Sequence, residues 1–215
     1  MMMQRQRGKT PQVARNSGQL IMSPAGVGLI IQRQLQHPPL FAALSSLQGK
    51  NIARVRMVVV REFDIRTMTL QASMDNRSAK TAQLQAHRKS ELCLWLPELA
   101  TQLRLLALWR VITREAAEQS KRDFIIRHKL WQSHGPESRN LFNGPQPGRP
   151  VAMRRHEPPN AAAAGNTNTD EPSANFAVLV GRIDSIDALY LAQNGHQRYR
   201  HRRTADRWET LKINA

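Results

Sequence analysis

Cysteine is all but missing from this chain. Cys93 is the sole example in 215 residues, which excludes a disulfide framework and a metal site built on cysteine thiolates. It fits a reducing compartment, and a cytoplasmic location is expected. Aromatic residues make up only 5%, a poor supply for surfaces that stack nucleic-acid bases. Long apolar runs are lacking too. The longest weakly apolar stretch, Leu20 to Ile31, is interrupted by Ser23, Pro24, Gly26 and Gly28 and is too short to span a bilayer, so no membrane partner is expected. No clean apolar segment leads to a small-residue cleavage site, so a secretory signal is not expected. Carboxylate side chains are absent from residues 1–61, and Glu62 is the first.

What is present is positive charge. There are 32 Lys and Arg against 16 Asp and Glu, a net +16. Such a balance points to an anionic partner, whether nucleic acid, an acidic membrane surface or a phosphorylated ligand, or else to a plain domain with basic tails. The hydrophobic share of 40% supports one core. Residues 1–36 are rich in Gln and Arg and free of acid. They read as a disordered basic tail or an organelle transit segment, to be set aside from the fold. The folded domain is expected over 37–215.

Within it, Leu40 to Leu47 reads as a strand or a short helix, Gln48-Gly49-Lys50-Asn51 as a turn, and Ile52 to Val60 as a largely buried strand. Further strands are expected over Arg66 to Ala72, Glu91 to Leu96 (stopped by Pro97) and Thr101 to Ile112. In the last of these Leu103, Leu105 and Ala107 share one face. Ser78 suits the cap of a helix running to His87, with Lys80 in its first turn. Arg114 to Arg127 reads as one helix with Ala116, Ala117, Phe124 and Ile125 on its apolar side. Residues 149–174 read as a mobile loop. Phe176 to Val180, Ile186 to Leu191, Arg198 to His201 and Trp208 to Ile213 read as closing strands. The sum is a mainly β chain, a small antiparallel barrel of six or so strands with flanking helices.

Cations cluster at the joints of this plan. Arg56 and Arg61 flank a strand, while Arg77 and Lys80 sit where a turn enters a helix. Arginine's planar fork matches phosphate oxygens, and a helix start adds unpaired N–H groups. Positions 56 and 61 differ by an odd number, so a regular strand points them to opposite faces. A bulge or a strand end must bring them together, or they serve two different anions.

Arg56-Met57-Val58-Val59-Val60-Arg61, then Arg77-Ser78-Ala79-Lys80 with Gln83-Leu84, then Gln102 without a gap, resemble the pyridoxamine 5'-phosphate oxidase-like FMN-binding family. Trp131, Pro136-Glu137-Ser138-Arg139 and Pro147-Gly148 resemble its later segment. The resemblance covers about residues 40–148 and 175–215. It implies an FMN-binding split β-barrel, a homodimer with FMN at the interface, and hydride transfer from an amine or alcohol to FMN and then oxygen. It implies cofactor contacts at Arg56, Met57, Val58, Arg61, Arg77, Ser78, Lys80, Gln102, Gln146 and Arg198, with Gln146 and Arg198 reaching the partner's site. A small phosphorylated substrate would meet Arg61, His134 and Ser138. No metal and no protein nucleophile is required.

The chain departs from the family at several points. Ala79 stands where the oxidases carry a second phosphate-binding arginine, for which Arg77 is the substitute. Of their Tyr, Arg and Ser clamp on the substrate phosphate only Ser138 survives, with Leu130 and His134 in the other places. Gln197-Arg198-Tyr199 replaces Arg-Leu-His. An FMN-binding relative without oxidase activity is therefore one alternative, and a basic nucleic-acid-binding barrel is a second. The thin scatter of aromatics and the dispersal of basic residues argue against the latter.

Overall fold

The structure, a computed structural model, describes residues 18–150, 170–205 and 207–215. Among these residues the elements run in the order α1 (Pro24–Leu35), β1 (Leu40–Gln48), β2 (Ile52–Asp64), β3 (Thr69–Asp75), α2 (Ala79–Ala86), β4 (Lys89–Leu96), β5 (Thr101–Ile112), α3 (Arg114–Glu118), α4 (Lys121–Gln132), α5 (Pro136–Asn140), β6 (Phe176–Tyr190), β7 (Gln197–Arg203) and β8 (Trp208–Ile213). All strand pairings are antiparallel. The sheet order is β3-β2-β1-β4-β5-β6-β7-β8, and a further pairing of β3 with β6 closes the first six strands into a barrel. Closure pairs β3 with β6, so β3 is not left as an open edge.

The long β6 makes this possible. Its first half, Phe176 to Arg182, pairs with β3, while its second half, from Ser185, leaves the barrel and pairs with β7. A register shift opposite Leu106 and Ala107 in β5 marks the parting, since an extra residue sharpens local twist. The two short strands expected over 176–191 are thus one bent strand.

Alternation fixes which side chains enter the barrel. Ala42 and Leu44, Leu92 and Leu94, Leu103, Leu105 and Ala107, and Ala177 and Leu179 are all within 1% of full burial in one cluster. Trp109 lies across β6 where only a glycine fits. A Cβ on Gly181 would stand 2.4 Å from the indole ring. Outside the wall, a second cluster joins Ile112, Phe176 and Val178 to Ala117, Leu130, Trp131 and Phe142, so α3 and α4 cover that face.

Several expectations need correction. The N-terminal part set aside from the fold includes α1, whose Val27, Ile30 and Ile31 are buried in the barrel cluster. Ser23 caps it through Gly26 N–H at 3.1 Å, with Pro24 at its first position. Gly28 lets it lie against β2, because a Cβ there would meet Ile65 at 2.6 Å. Replacing Ile30 by Ala is expected to cost about 2–5 kcal/mol. Residues 1–17 lie outside the described residues, and so does the 151–169 part of the expected loop.

Strand β2 is not largely buried. Its first half projects beyond the core, with Val55 at 68% and Met57 at 62% exposure. Strand β3 begins at Thr69 rather than Arg66, because Asp64 accepts the Arg66 N–H at 2.8 Å and holds a turn. The single helix expected from Arg114 is two, since Ser120 caps a new start through Asp123 N–H. That re-phasing turns Phe124 and Ile125 outward and Leu130 and Trp131 inward. No helix among the described residues is long and apolar enough to cross a membrane.

Candidate functional site

The inner side of β2 carries Arg56 at the end of the barrel, opposite Leu44 of β1. Its guanidinium donates to the Ser46 hydroxyl and, at 2.9 Å, to the Gln83 amide oxygen. Ser46 closes the ring by donating to the same Gln83 oxygen at 2.7 Å. Helix α2 supplies Gln83 and also Lys80, whose ammonium donates to the Ser78 hydroxyl at 3.1 Å. These partners are neutral. Among the described residues, neither Arg56 nor Lys80 pairs with a carboxylate. Burial lowers the basicity of Arg56, with Arg54 adding to it. Lys80 is lowered by burial and then by Arg56, against an opposing pull from Asp75. Two partly desolvated cations without counter-charge make a station for a dianion.

Arg77, expected to stand in for a missing phosphate ligand, is otherwise engaged. It grips both carboxylate oxygens of Asp75, at 2.7 and 3.1 Å, and donates to the carbonyl of Gly144 at 3.0 Å. The Asp75 bonds raise its basicity and cancel its charge. Arg77 therefore acts as a tie between the entry to α2 and the 142–144 turn. Gln146 follows that turn and reaches the Arg77 carbonyl of its own chain at 3.4 Å. No partner is needed to bring it to this end of the barrel.

Arg61 sits where the β2–β3 register shifts, between Val60 and Glu62. The bulge does not bring it to Arg56. Its charge acts on His134, together with that of Arg139. His134 is tied to Ser73, which is on the outer side of β3 because Ala72 and Met74 fill the barrel. The side-chain Nε atoms of Arg61 and Arg139 are buried without a hydrogen-bond partner. Burial lowers the basicity of both Arg61 and His134. This second cationic station faces α4 and α5, where Ser138 also lies. His134 is 5% exposed, and both ring nitrogens are used. Nδ1–H donates to the Leu130 carbonyl at 2.7 Å, and Nε2 accepts from Ser73 at 3.0 Å. The ring is a packed strut rather than a free ligand.

Gln102 and Arg198 belong to the outer wall. Gln102 pairs in register with Trp95 on one side and Leu189 on the other, and Leu189 pairs with Arg198. Arg198 clamps Asp187 with two bonds of 2.9 Å, and Arg104 adds a third at 2.6 Å. Burial pushes Asp187 up, but these arginines outweigh it and hold the carboxyl below its usual range. Met57 is on the outer face and Val58, 6% exposed, on the inner. One chain thus unites Arg56, Ser78 and Lys80. It leaves Arg61 on the far side of the β2 wall, and Gln102 with Arg198 on the outside.

Ser46 and Gln83 escaped notice as site residues. Gln83 follows Lys80 at the i,i+3 spacing that puts two side chains on one helix face, a signal that was there to be read. Ser46, within an apolar strand, gave none.

Residues 29–113 match the family described as pyridoxamine 5'-phosphate oxidase, FMN-binding domain. Among solved structures, a pyridoxamine 5'-phosphate oxidase-related, FMN binding protein from Nostoc punctiforme is 25% identical. It aligns over 88% of this chain and 94% of its own, with a TM-score of 0.75. PhzG from Burkholderia lata, solved with tetrahydrophenazine-1-carboxylic acid, is 16% identical over 87% of this chain and 91% of its own, with a TM-score of 0.68. That likeness is one of fold alone. No curated protein matches the chain in sequence.

Proposed function

We propose that the chain is a member of the pyridoxamine 5'-phosphate oxidase-like FMN-binding split-barrel family, which residues 29–113 match, and that it is a homodimeric FMN-dependent oxidase of a small phosphorylated amine or alcohol. The supporting observation is the station at the barrel end. Arg56 and Lys80 are charged, partly buried and held only by neutral groups. The phosphate of FMN carries a charge of about −2 at neutral pH, so the donor set fits it. The chemistry FMN supplies when bound is two-electron oxidation of an amine or alcohol carbon, with oxygen as the final acceptor. The protein's part is to fix the phosphate through Arg56, Lys80 and Ser78, and to draw the substrate's anionic end to Arg61 and Ser138.

The outer wall supports pairing of two copies. Phe41, Val55, Met57 and Trp95 are 50–68% exposed. The first three lie on adjacent strands, in register pairs that all point outward. An apolar sheet face of this kind is what a partner covers. A second copy seated there would meet the same outer wall that carries Gln102 and Arg198. The lone cysteine suits a reducing cytoplasm.

A second reading, FMN binding without oxidase activity, is favoured by one observation. His134 is engaged at both ring nitrogens, and Leu130 is 1% exposed, which leaves Arg61 and Ser138 with little help. The test has two steps. The purified protein is expected to show flavin absorbance and to release FMN, identified by mass; a colourless protein that does not take up added FMN overturns both readings. Pyridoxamine phosphate is then expected to be turned over with release of peroxide; a flavin-loaded protein that releases none from phosphorylated amines or alcohols leaves the second reading.

A further inference from the structure

We propose that Gln83 is a positioning residue that orients Arg56 toward a phosphate while leaving its charge uncompensated; this rests on the FMN reading above and deepens it. The Gln83 amide oxygen accepts from Arg56 at 2.9 Å and from Ser46 at 2.7 Å, while Ser46 accepts from the other terminal nitrogen of Arg56. Both lone pairs of the amide oxygen are used, and the Ser46 hydroxyl donates once and accepts once. The guanidinium plane is thereby fixed by two points, and its remaining N–H groups keep one direction.

The neutrality of these partners matters as much as their geometry. A carboxylate in either place would hold Arg56 equally well and cancel it, as Asp75 cancels Arg77. Gln83 follows Lys80 in α2, so one helix carries one cation of the station and the orienting group for the other. Pre-orientation of a donor raises affinity by sparing the cost of ordering it on binding.

The test uses the full chain and two probes, FMN and riboflavin, which lacks the phosphate. Gln83→Met keeps the volume and removes the acceptor. It is expected to raise the dissociation constant for FMN about tenfold and leave that for riboflavin unchanged. Gln83→Glu keeps the acceptor and adds a charge, and FMN affinity is expected to fall at least as far. In an Arg56→Met background, Gln83→Met is expected to change nothing more. Unchanged FMN binding in Gln83→Met or Gln83→Glu overturns the proposal. So does a loss that adds in full to that of Arg56→Met, or one shared by riboflavin, since either marks a merely structural role. Should Gln83→Met fail to fold, Ser46→Ala removes the other point of the ring under the same criteria. A wild-type protein that binds riboflavin as tightly as FMN overturns the phosphate station itself, and this inference with it.

Discussion

Arg56 and Arg61 lie on one strand but serve opposite sides of the barrel wall. Arg56 turns inward to Ser46 and Gln83, while Arg61, at the β-bulge, acts on His134 outside. On the proposed function the two cations answer to different anions, and their variants should separate. Arg56→Met is expected to weaken FMN binding by about 1.5–3 kcal/mol, the range for a hydrogen bond to a charged group. It should barely change the KM for a phosphorylated substrate once flavin is saturating. Arg61→Met is expected to raise that KM and leave FMN affinity within twofold, an approximate bound reflecting removal of a distant charge. Titration of flavin fluorescence and steady-state kinetics on the loaded protein check the two arms.

Lys80 gives the station a pH dependence. In the free site its basicity is lowered, first by burial and then by Arg56, from the usual 10.5. A bound dianion restores it, so binding takes up a proton wherever the free lysine has lost one. FMN affinity is expected to be constant at neutral pH and to fall as pH rises through the depressed value. Lys80→Met should lower affinity at neutral pH and flatten that alkaline limb. A wild-type limb that persists unchanged in Lys80→Met assigns it to another group.

Much of this architecture was legible beforehand because period-two alternation is a local signal. The Leu103, Leu105, Ala107 face of β5 reads directly and is fully buried. The same logic misjudged β2, whose Val55 and Met57 are β-branched or apolar yet exposed. Propensity cannot tell a core-facing side chain from one that faces another protein molecule. The role of α1 was hidden by composition. An acid-free segment resembles a tail, and only packing of Ile30 and Ile31 against the barrel reveals otherwise. Charge alone could not distinguish Arg77 from Arg56, because what separates them is a carboxylate, Asp75, in reach of one and not of the other. Parity left open whether a bulge would bring Arg56 and Arg61 together or the two would stay apart, and at the bulge they stay apart.

The exposed apolar face offers a direct test of pairing. Met57 sits opposite Ala43, beside Val55, on the outer wall. Met57→Asp places a charge where a second copy would have to desolvate it, a cost of several kcal/mol. Light scattering is expected to show a dimer for the wild-type chain and a monomer for the variant, with unchanged circular dichroism. On the proposed interfacial site, flavin retention should fall in step. A wild-type chain that is monomeric while holding FMN overturns the pairing.

His201 is expected to tie acid stability to the β7–β8 pair. It is fully buried in β7. Its Nε2–H donates to the Ile21 carbonyl at 2.9 Å, and Nδ1 accepts from Thr210 at 2.9 Å. Burial lowers its pKa from the usual 6.5, against weaker upward pulls from the Ile21 bond and Asp187; His134, flanked by Arg61 and Arg139, is lowered as well. The unfolded chain therefore binds protons that the folded chain refuses. The contribution of both histidines is complete above pH 6.5 and is lost as pH falls from there through the depressed folded values. Urea unfolding is expected to show stability declining over that window, and His201→Gln should reduce the slope. Protonation puts a hydrogen on Nδ1, which then no longer accepts from Thr210, while the Nε2–H bond to Ile21 survives, so amide exchange should rise first around Thr210 in β8 on acidification, ahead of the central barrel strands. Uniform exchange across β8 and the rest of the barrel would mean that they open as one unit, with His201 acting on global stability alone.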